Sequence, residues 1–162
     1  MGVAFLRRVI STFANRAGYS LIVSAGDGLL ASQLQPPGIS NVLVTPYVPQ
    51  MEVLQRCAAM ITHGGANSIK ECILSGVPMV VYPLRADQPG NSARVVYHGL
   101  GLRGSVRRDR VDTILRKVEQ VIGDHAFHER LERMRRAFVE DEGAAVRCLE
   151  HHAREGWRPS HG

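Results

Sequence analysis

Four short runs of almost wholly apolar residues set the limits on what this chain can fold into. Residues 20–24 (SLIVS), 41–45 (NVLVT), 58–62 (AAMIT) and 78–82 (PMVVY) are too uniformly apolar for strands with a wet face, so each is read as a strand buried on both sides. Helical patterns fall between them at 50–56 and 66–74, and another follows at 88–98. Strands alternating with helices predict an α/β fold: a Rossmann-like parallel sheet with helices on both faces. Ligands of such sheets bind beyond the carboxyl ends of the strands, which directs attention to residues 47–50, 63–68 and 84–88.

The chain opens on a helix. Phe5, Leu6, Val9, Ile10 and Phe13 recur at helical spacing, Arg7, Arg8 and Asn15 take the other face, and Gly18 ends the pattern. An α/β nucleotide-binding unit ordinarily begins with a strand and a glycine-rich turn, so the chain reads as cut just after its own first strand. The tail is helical. Val111, Ile114, Leu115, Val118 and Ile122 form one stripe and Phe127, Leu131, Met134 and Phe138 a second, with Gly123-Asp124 between them. Glu142-Gly143 is read as a break before a third helix carrying Ala145, Cys148 and Leu149. The 162 residues, 44% of them hydrophobic, suffice for one domain with a core of its own.

Composition removes several classes of function. The longest apolar stretch, 77–84, is broken by Pro78 and Pro83 and is far shorter than the ~20 residues of a membrane span, so no integral membrane segment is expected. Arg7-Arg8 interrupt the one candidate signal-peptide core. Cys57, Cys72 and Cys148 form no close pair and no metal-ligand spacing, which points to reduced thiols and a cytoplasmic location. His151-His152 lack the companions a metal site needs. The net charge is +5, and its sharpest run is Arg103, Arg107, Arg108 and Arg110, broken by Asp109. No aromatic interleaving accompanies that run, so it is read as a solvated face and no nucleic-acid partner is expected.

Residues 62–71 (THGGANSIKE) hold the densest chemistry. They describe a strand end, a two-glycine turn and a helix start. Gly64 and Gly65 let backbone approach a ligand closely. The helix beginning near Ala66 offers free N–H groups and the positive end of its dipole, a site for an anion. Asn67 and Ser68 add side-chain donors, and Glu71 lies one turn beyond Asn67, within reach of a sugar hydroxyl. The bland alternative is a helix capped by Asn67 or Ser68 with His63 as an ordinary turn histidine.

Read with its surroundings, the segment gains a second meaning. YVPQ at 47–50, HGGANSIKE at 63–71, GVP at 76–78 and PLRADQPGN at 83–91 run over about 45 residues. This resembles the donor-site signature of GT-B glycosyltransferases, in the superfamily of plant UDP-glycosyltransferases and bacterial macrolide and antibiotic glycosyltransferases: W-x-P-Q, H-x-G-x-N-S-x-x-E, G-V-P and P-x-x-x-D-Q-x-x-N. The first position departs, with Tyr47 in place of tryptophan.

The resemblance implies a nucleotide-sugar donor domain, the C-terminal half of a GT-B fold, over residues 1–162. It implies that His63 contacts the donor diphosphate, with the backbone at Gly65 and Ala66 and with Asn67 and Ser68. Glu71 would hold the ribose, and Asp87 and Gln88 the hydroxyls of the donor sugar. Tyr47, Val48 and Gln50 would border the base, which leaves a smaller aromatic platform and keeps uridine and thymidine both open. A UDP- or dTDP-sugar enters as co-substrate, with no cofactor and no metal.

The implied function is the donor half of an inverting, metal-independent enzyme that passes a hexose to a small-molecule or lipid acceptor. In this family the catalytic base belongs to an N-terminal acceptor domain, absent here. A partner domain or chain is therefore expected, and the chain alone is expected to bind donor without transferring sugar. A non-catalytic nucleotide-sugar-binding module and the donor subunit of a two-chain glycosyltransferase are the alternatives.

Overall fold

The structure, a computed structural model, describes the backbone of residues 2–155 and the side chains of residues 2–140. The elements run α1 (Val3–Phe13), β1 (Leu21–Ser24), α2 (Gly28–Leu34), β2 (Val42–Thr45), α3 (Gln50–Leu54), β3 (Met60–Thr62), α4 (Ala66–Ser75), β4 (Met79–Val81), α5 (Gln88–Tyr97), β5 (Gly101–Arg103), α6 (Val111–Gly123) and α7 (His125–Glu155). Every strand pairing among the described residues is parallel, as the alternation of strands and helices requires. The ladders among these residues form two sheets, β1-β2 and β3-β4-β5. Leu21 pairs with Val42 in the first, and Met60, Met79 and Gly101 align across the second.

β4 carries the core. Met79, Val80 and Val81 are all 0% exposed. Val80 faces a layer with Phe5, Val9 and Phe13 of α1 and Ile114, Val118 and Val121 of α6. Met79 and Val81 face the opposite layer, with Cys72 and Ile73 of α4, Val95 of α5 and Leu131 of α7. Burying each such aliphatic side chain contributes about 1.5–3 kcal/mol, which is why this strand shows no alternation. β1 and β2 behave differently: Val23, Val42 and Val44 are buried against Leu6, Ile10, Ala31 and Leu34, while Ile22 and Leu43 stay 46% and 55% exposed. Because α1 contributes to the cores beneath both sheets, it joins them.

Four features differ from the sequence reading. β1 and β2, read as buried on both sides, each leave one face open, at Ile22 and Leu43. α2, begun by Asp27 accepting from the Leu30 N–H at 2.8 Å, and β5 were not anticipated. The helix expected after Gly143 does not start afresh, because α7 continues from His125 to Glu155. A glycine inside a helix costs only about 1 kcal/mol against alanine, which a long helix tolerates. Ala145, Cys148, Leu149, His151 and His152 have side chains outside the described residues. No helix among the described residues is long and apolar enough to cross a membrane.

Polar contacts pin α1 to the segment after β5. The Arg8 Nη1 donates to the carbonyls of Val106 (2.8 Å) and Asp109 (3.0 Å), and Lys117 pairs with the Asp109 carboxylate at 2.5 Å. The four arginines of the basic run, Arg103, Arg107, Arg108 and Arg110, are exposed. Burial, reinforced by the Asp109 carboxylate, raises the pKa of the Tyr82 phenol. Burial, reinforced by Glu71 and Cys57, pushes the Cys72 thiol up to about 12, so it stays protonated at neutral pH.

Packing around Tyr82 gives a test of the fold. Its ring stacks at a tilt on Phe5, centroids 4.6 Å apart, and a Cβ at Gly104 would lie 2.1 Å from the ring's Cε1. Gly104→Ala must displace a fully buried ring and should lower stability by about 1–3 kcal/mol. Gly90, in the first turn of α5, has nothing within 4 Å of its Cβ position, so Gly90→Ala should raise stability by about 0.5–1 kcal/mol. Urea unfolding midpoints read both; a wild-type midpoint for Gly104→Ala would mean that Tyr82 is not packed as described.

Candidate functional site

Parallel pairing brings the loops after β2, β3 and β4 to one end of the fold. The Ala25 N–H donates to the Thr45 carbonyl at 2.8 Å and the Gly26 N–H to the Pro46 carbonyl at 2.9 Å, so the loop after β1 braces the one after β2. Tyr47 is 78% exposed there, with Val48 half-buried beside it. An exposed aromatic ring at a strand's carboxyl end is a surface on which a flat heterocycle can stack.

The turn at 63–65 is shaped by what lies beneath it. Gly64 has φ +87°, and a Cβ there would come within 2.7 Å of Val81 Cγ1 on β4. Only glycine fits both demands. The Gly64 N–H donates to Thr62 Oγ1 at 3.2 Å. α4 then begins with Gly65 as its N-cap in extended conformation (φ −65°, ψ 142°) and no side-chain cap. Neither Asn67 nor Ser68 caps the helix, contrary to the bland reading of this segment. No side-chain cap therefore occupies its first N–H groups, Ala66 and Asn67 beside them are exposed, and the positive end of the helix dipole lies behind them. His63 folds back over this terminus: its Nε2 lies 2.9 Å from where a Gly65 Cβ would be.

Gln50, at the start of α3, ties the loop after β2 to α4. Its Nε2 donates to Ser68 Oγ at 3.3 Å and makes a short hydrogen bond to Glu71 Oε2. The contact fixes the Glu71 carboxylate on the side of α4 that faces the loop with Tyr47. A carboxyl group has more lone-pair sites than the one Gln50 occupies, so Glu71 keeps acceptor capacity for a vicinal diol. Gln50, expected beside a base, is thus also a direct neighbour of the residue expected at the ribose.

The loop after β4 is closed by its own glutamine. Gln88 Oε1 accepts from the N–H groups of Leu84 (2.9 Å) and Arg85 (3.1 Å), and its amide nitrogen takes no part in these two bonds. Ala86 is held at φ +56°, a left-handed conformation that costs a non-glycine residue about 1–3 kcal/mol, and Asp87 follows it. Asp87 is exposed, and its Oδ2 accepts from Asn91 Nδ2 at 2.7 Å. The same nitrogen donates to the Gly64 carbonyl at 3.0 Å. Sequence reading placed Asn91 in a motif without giving it a role; its spacing from Asp87, one helical turn, was the available signal.

The residues singled out from the sequence therefore converge. His63, Gly65, Ala66, Asn67 and Ser68 surround one helix N-terminus, Gln50 and Glu71 are bonded on its flank, and Asp87 and Gln88 stand on the adjoining loop. The arrangement offers backbone donors for an anion, carboxylates for hydroxyls and an aromatic surface for a ring. No cluster of three or more His, Cys, Asp or Glu suited to a metal occurs among the described residues.

Comparison with known proteins identifies the family. The family model described as UDP-glucoronosyl and UDP-glucosyl transferase matches residues 30–142, a span that contains all of these side chains. The chain is 33% identical over 134 residues to the zeaxanthin glucosyltransferase of Pseudescherichia vulneris, covering 81% of this chain and 32% of that protein. It thus spans about a third of the length of that relative. The solved glycotransferase of kitacinnamycin superposes with a TM-score of 0.85 at 30% identity, over 95% of this chain and 40% of that one. An Os79 variant from O. sativa in complex with UDP superposes at 0.69 with 27% identity, over 83% of this chain and 33% of that one. The chain belongs to the UDP-glucoronosyl and UDP-glucosyl transferase family of GT-B glycosyltransferases.

Proposed function

We propose that the chain binds a UDP- or dTDP-sugar as the donor half of an inverting, metal-independent glycosyltransferase that passes a hexose to a small-molecule or lipid acceptor. The observation that carries this reading is the uncapped N-terminus of α4, with His63 folded over it and Glu71 held by Gln50 on its flank. The solved relative with UDP supports a nucleoside diphosphate as the ligand.

In this reading the N–H groups of Gly65 and Ala66, with His63, Asn67 and Ser68, take the diphosphate, whose negative charge grows as the glycosidic bond breaks. Oriented donors at a helix terminus stabilise such a leaving group without reorganising, which is the role a cation would otherwise fill. Glu71 accepts from the ribose hydroxyls, and Tyr47, Val48 and Gln50 border the base. Asp87 accepts from, and the Gln88 amide donates to, the hydroxyls of the donor sugar. The acceptor and the base that deprotonates it come from a partner domain or chain, because His63 sits on the diphosphate side. A cytoplasmic setting is part of the proposal, supported by the free thiols of Cys57 and Cys72.

Calorimetry tests the ligand class. UDP or dTDP should bind in the presence of EDTA, and more tightly than NAD or ATP; loss of binding with EDTA, or a preference for NAD, would refute the reading. Removing the Glu71 carboxylate loses a charge-assisted contact of about 1.5–3 kcal/mol. Glu71→Ala should accordingly weaken nucleoside diphosphate binding by about tenfold to a hundredfold without moving the melting temperature. Asp87→Ala should weaken the sugar nucleotide and spare the plain diphosphate. A folded Glu71→Ala variant with unchanged affinity would return Glu71 to the solvated helix face.

A further inference from the structure

Asn91 carries no role in the donor site described above, yet a single amide nitrogen of its side chain joins the two loops from which that site is built. Nδ2 donates to the Gly64 carbonyl at 3.0 Å and to Asp87 Oδ2 at 2.7 Å. Its Oδ1 accepts from Arg94 Nη1 at 3.4 Å, so the amide is oriented with its oxygen toward the guanidinium and both N–H bonds toward the two acceptors. The side chain leaves the first turn of α5, where the Asn91 N–H also donates to the Asp87 carbonyl at 2.9 Å. Serine is too short for this double reach, and aspartate would oppose the Asp87 carboxylate with a second negative charge.

The bond to Gly64 acts one atom further on. The Gly64 carbonyl and the Gly65 N–H belong to one planar trans peptide and point in opposite directions. Gly64 has no side chain and sits at φ +87°, so little else in the residue itself resists rotation of that plane. Fixing the carbonyl toward α5 aims the Gly65 N–H away from it, toward the open entrance of α4.

We propose that Asn91 is a positioning residue that sets both ends of the donor at once. Through the Gly64 carbonyl it aims the Gly65 N–H at the diphosphate, and through Asp87 it holds the carboxylate that meets the hydroxyls of the donor sugar. The proposal rests on the donor-site reading. It adds that the diphosphate loop and the sugar loop are not independent, because one side chain holds both.

A double-mutant cycle tests it on the chain as it stands, with UDP and UDP-glucose as probes in calorimetry and urea unfolding run in parallel. Asn91→Ala should weaken UDP by about tenfold, the effect of one lost hydrogen bond to an anion, and should do so equally in the Asp87→Ala background. With UDP-glucose the two substitutions should be non-additive, since removing either partner already frees the carboxylate or deletes it. Asn91→Asp, nearly isosteric, should weaken both probes at least as much as Asn91→Ala, and it serves in its place should the alanine variant unfold. A folded Asn91→Ala or Asn91→Asp variant with wild-type affinity for both probes would overturn the proposal. So would an equal loss for both probes with full additivity toward Asp87→Ala, the signature of a merely structural role. If Asp87→Ala alone leaves UDP-glucose binding unchanged, the sugar half of the donor-site reading fails, and the Asp87 half of this proposal falls with it. The UDP arm still decides the role of Asn91 at Gly65.

Discussion

The contact between Val81 on β4 and the backbone of Gly64 holds fold and site in one arrangement. Val81 is fully buried because β4 lies between two helical layers, and its Cγ1 occupies the space that any Cβ at residue 64 would need. The turn must therefore be glycine, and it must pass close over the strand end. That passage leads directly into α4, whose N-terminus carries no side-chain cap. Enlarging either partner would lift the turn and misdirect the helix entrance, so the packing of one valine sets the direction of the proposed anion-binding donors.

Around this point the site is preorganised by amide side chains more than by charge. Gln50 bonds Glu71 and Ser68, Gln88 bonds the backbone of its own loop, and Asn91 bonds Gly64 and Asp87. Each uses a neutral group to fix a charged group or a backbone segment. Neutral positioning holds the carboxylates without setting a cation against them, and it leaves the positive end of the helix dipole at the turn. A lysine or arginine in the same places would compete with the ligand for the carboxylates.

Much of this was legible in the sequence, and the rest fails for identifiable reasons. The apolar runs at 41–45 and 78–82 and the helix after Gly65 could be read because burial and period leave a pattern in residue type. β5 could not, since Gly101–Arg103 is a three-residue strand of one glycine, one leucine and one arginine, held by pairing with β4. α2 follows a glycine cluster that reads as a loop, and only the Asp27 cap marks its start. Gly143 looked like a break because glycine is judged from its intrinsic cost, whereas α7 runs through it. In the site, the residue types and their spacing pointed to a common location. The links through Gln50 and Asn91 did not show, because they join residues 21 and 27 positions apart, one through a side chain and the other through a backbone carbonyl.

The central claim is that the N-terminus of α4 receives the diphosphate of a nucleotide. Its most direct test is to follow backbone amide resonances by NMR while UDP is titrated into the chain. The account predicts that the largest shifts fall on the amides of Gly65, Ala66, Asn67 and Ser68, with a smaller set at Glu71 and in the loop with Tyr47. Shifts concentrated instead on the exposed arginines at 103–110, with the α4 amides unmoved, would contradict it.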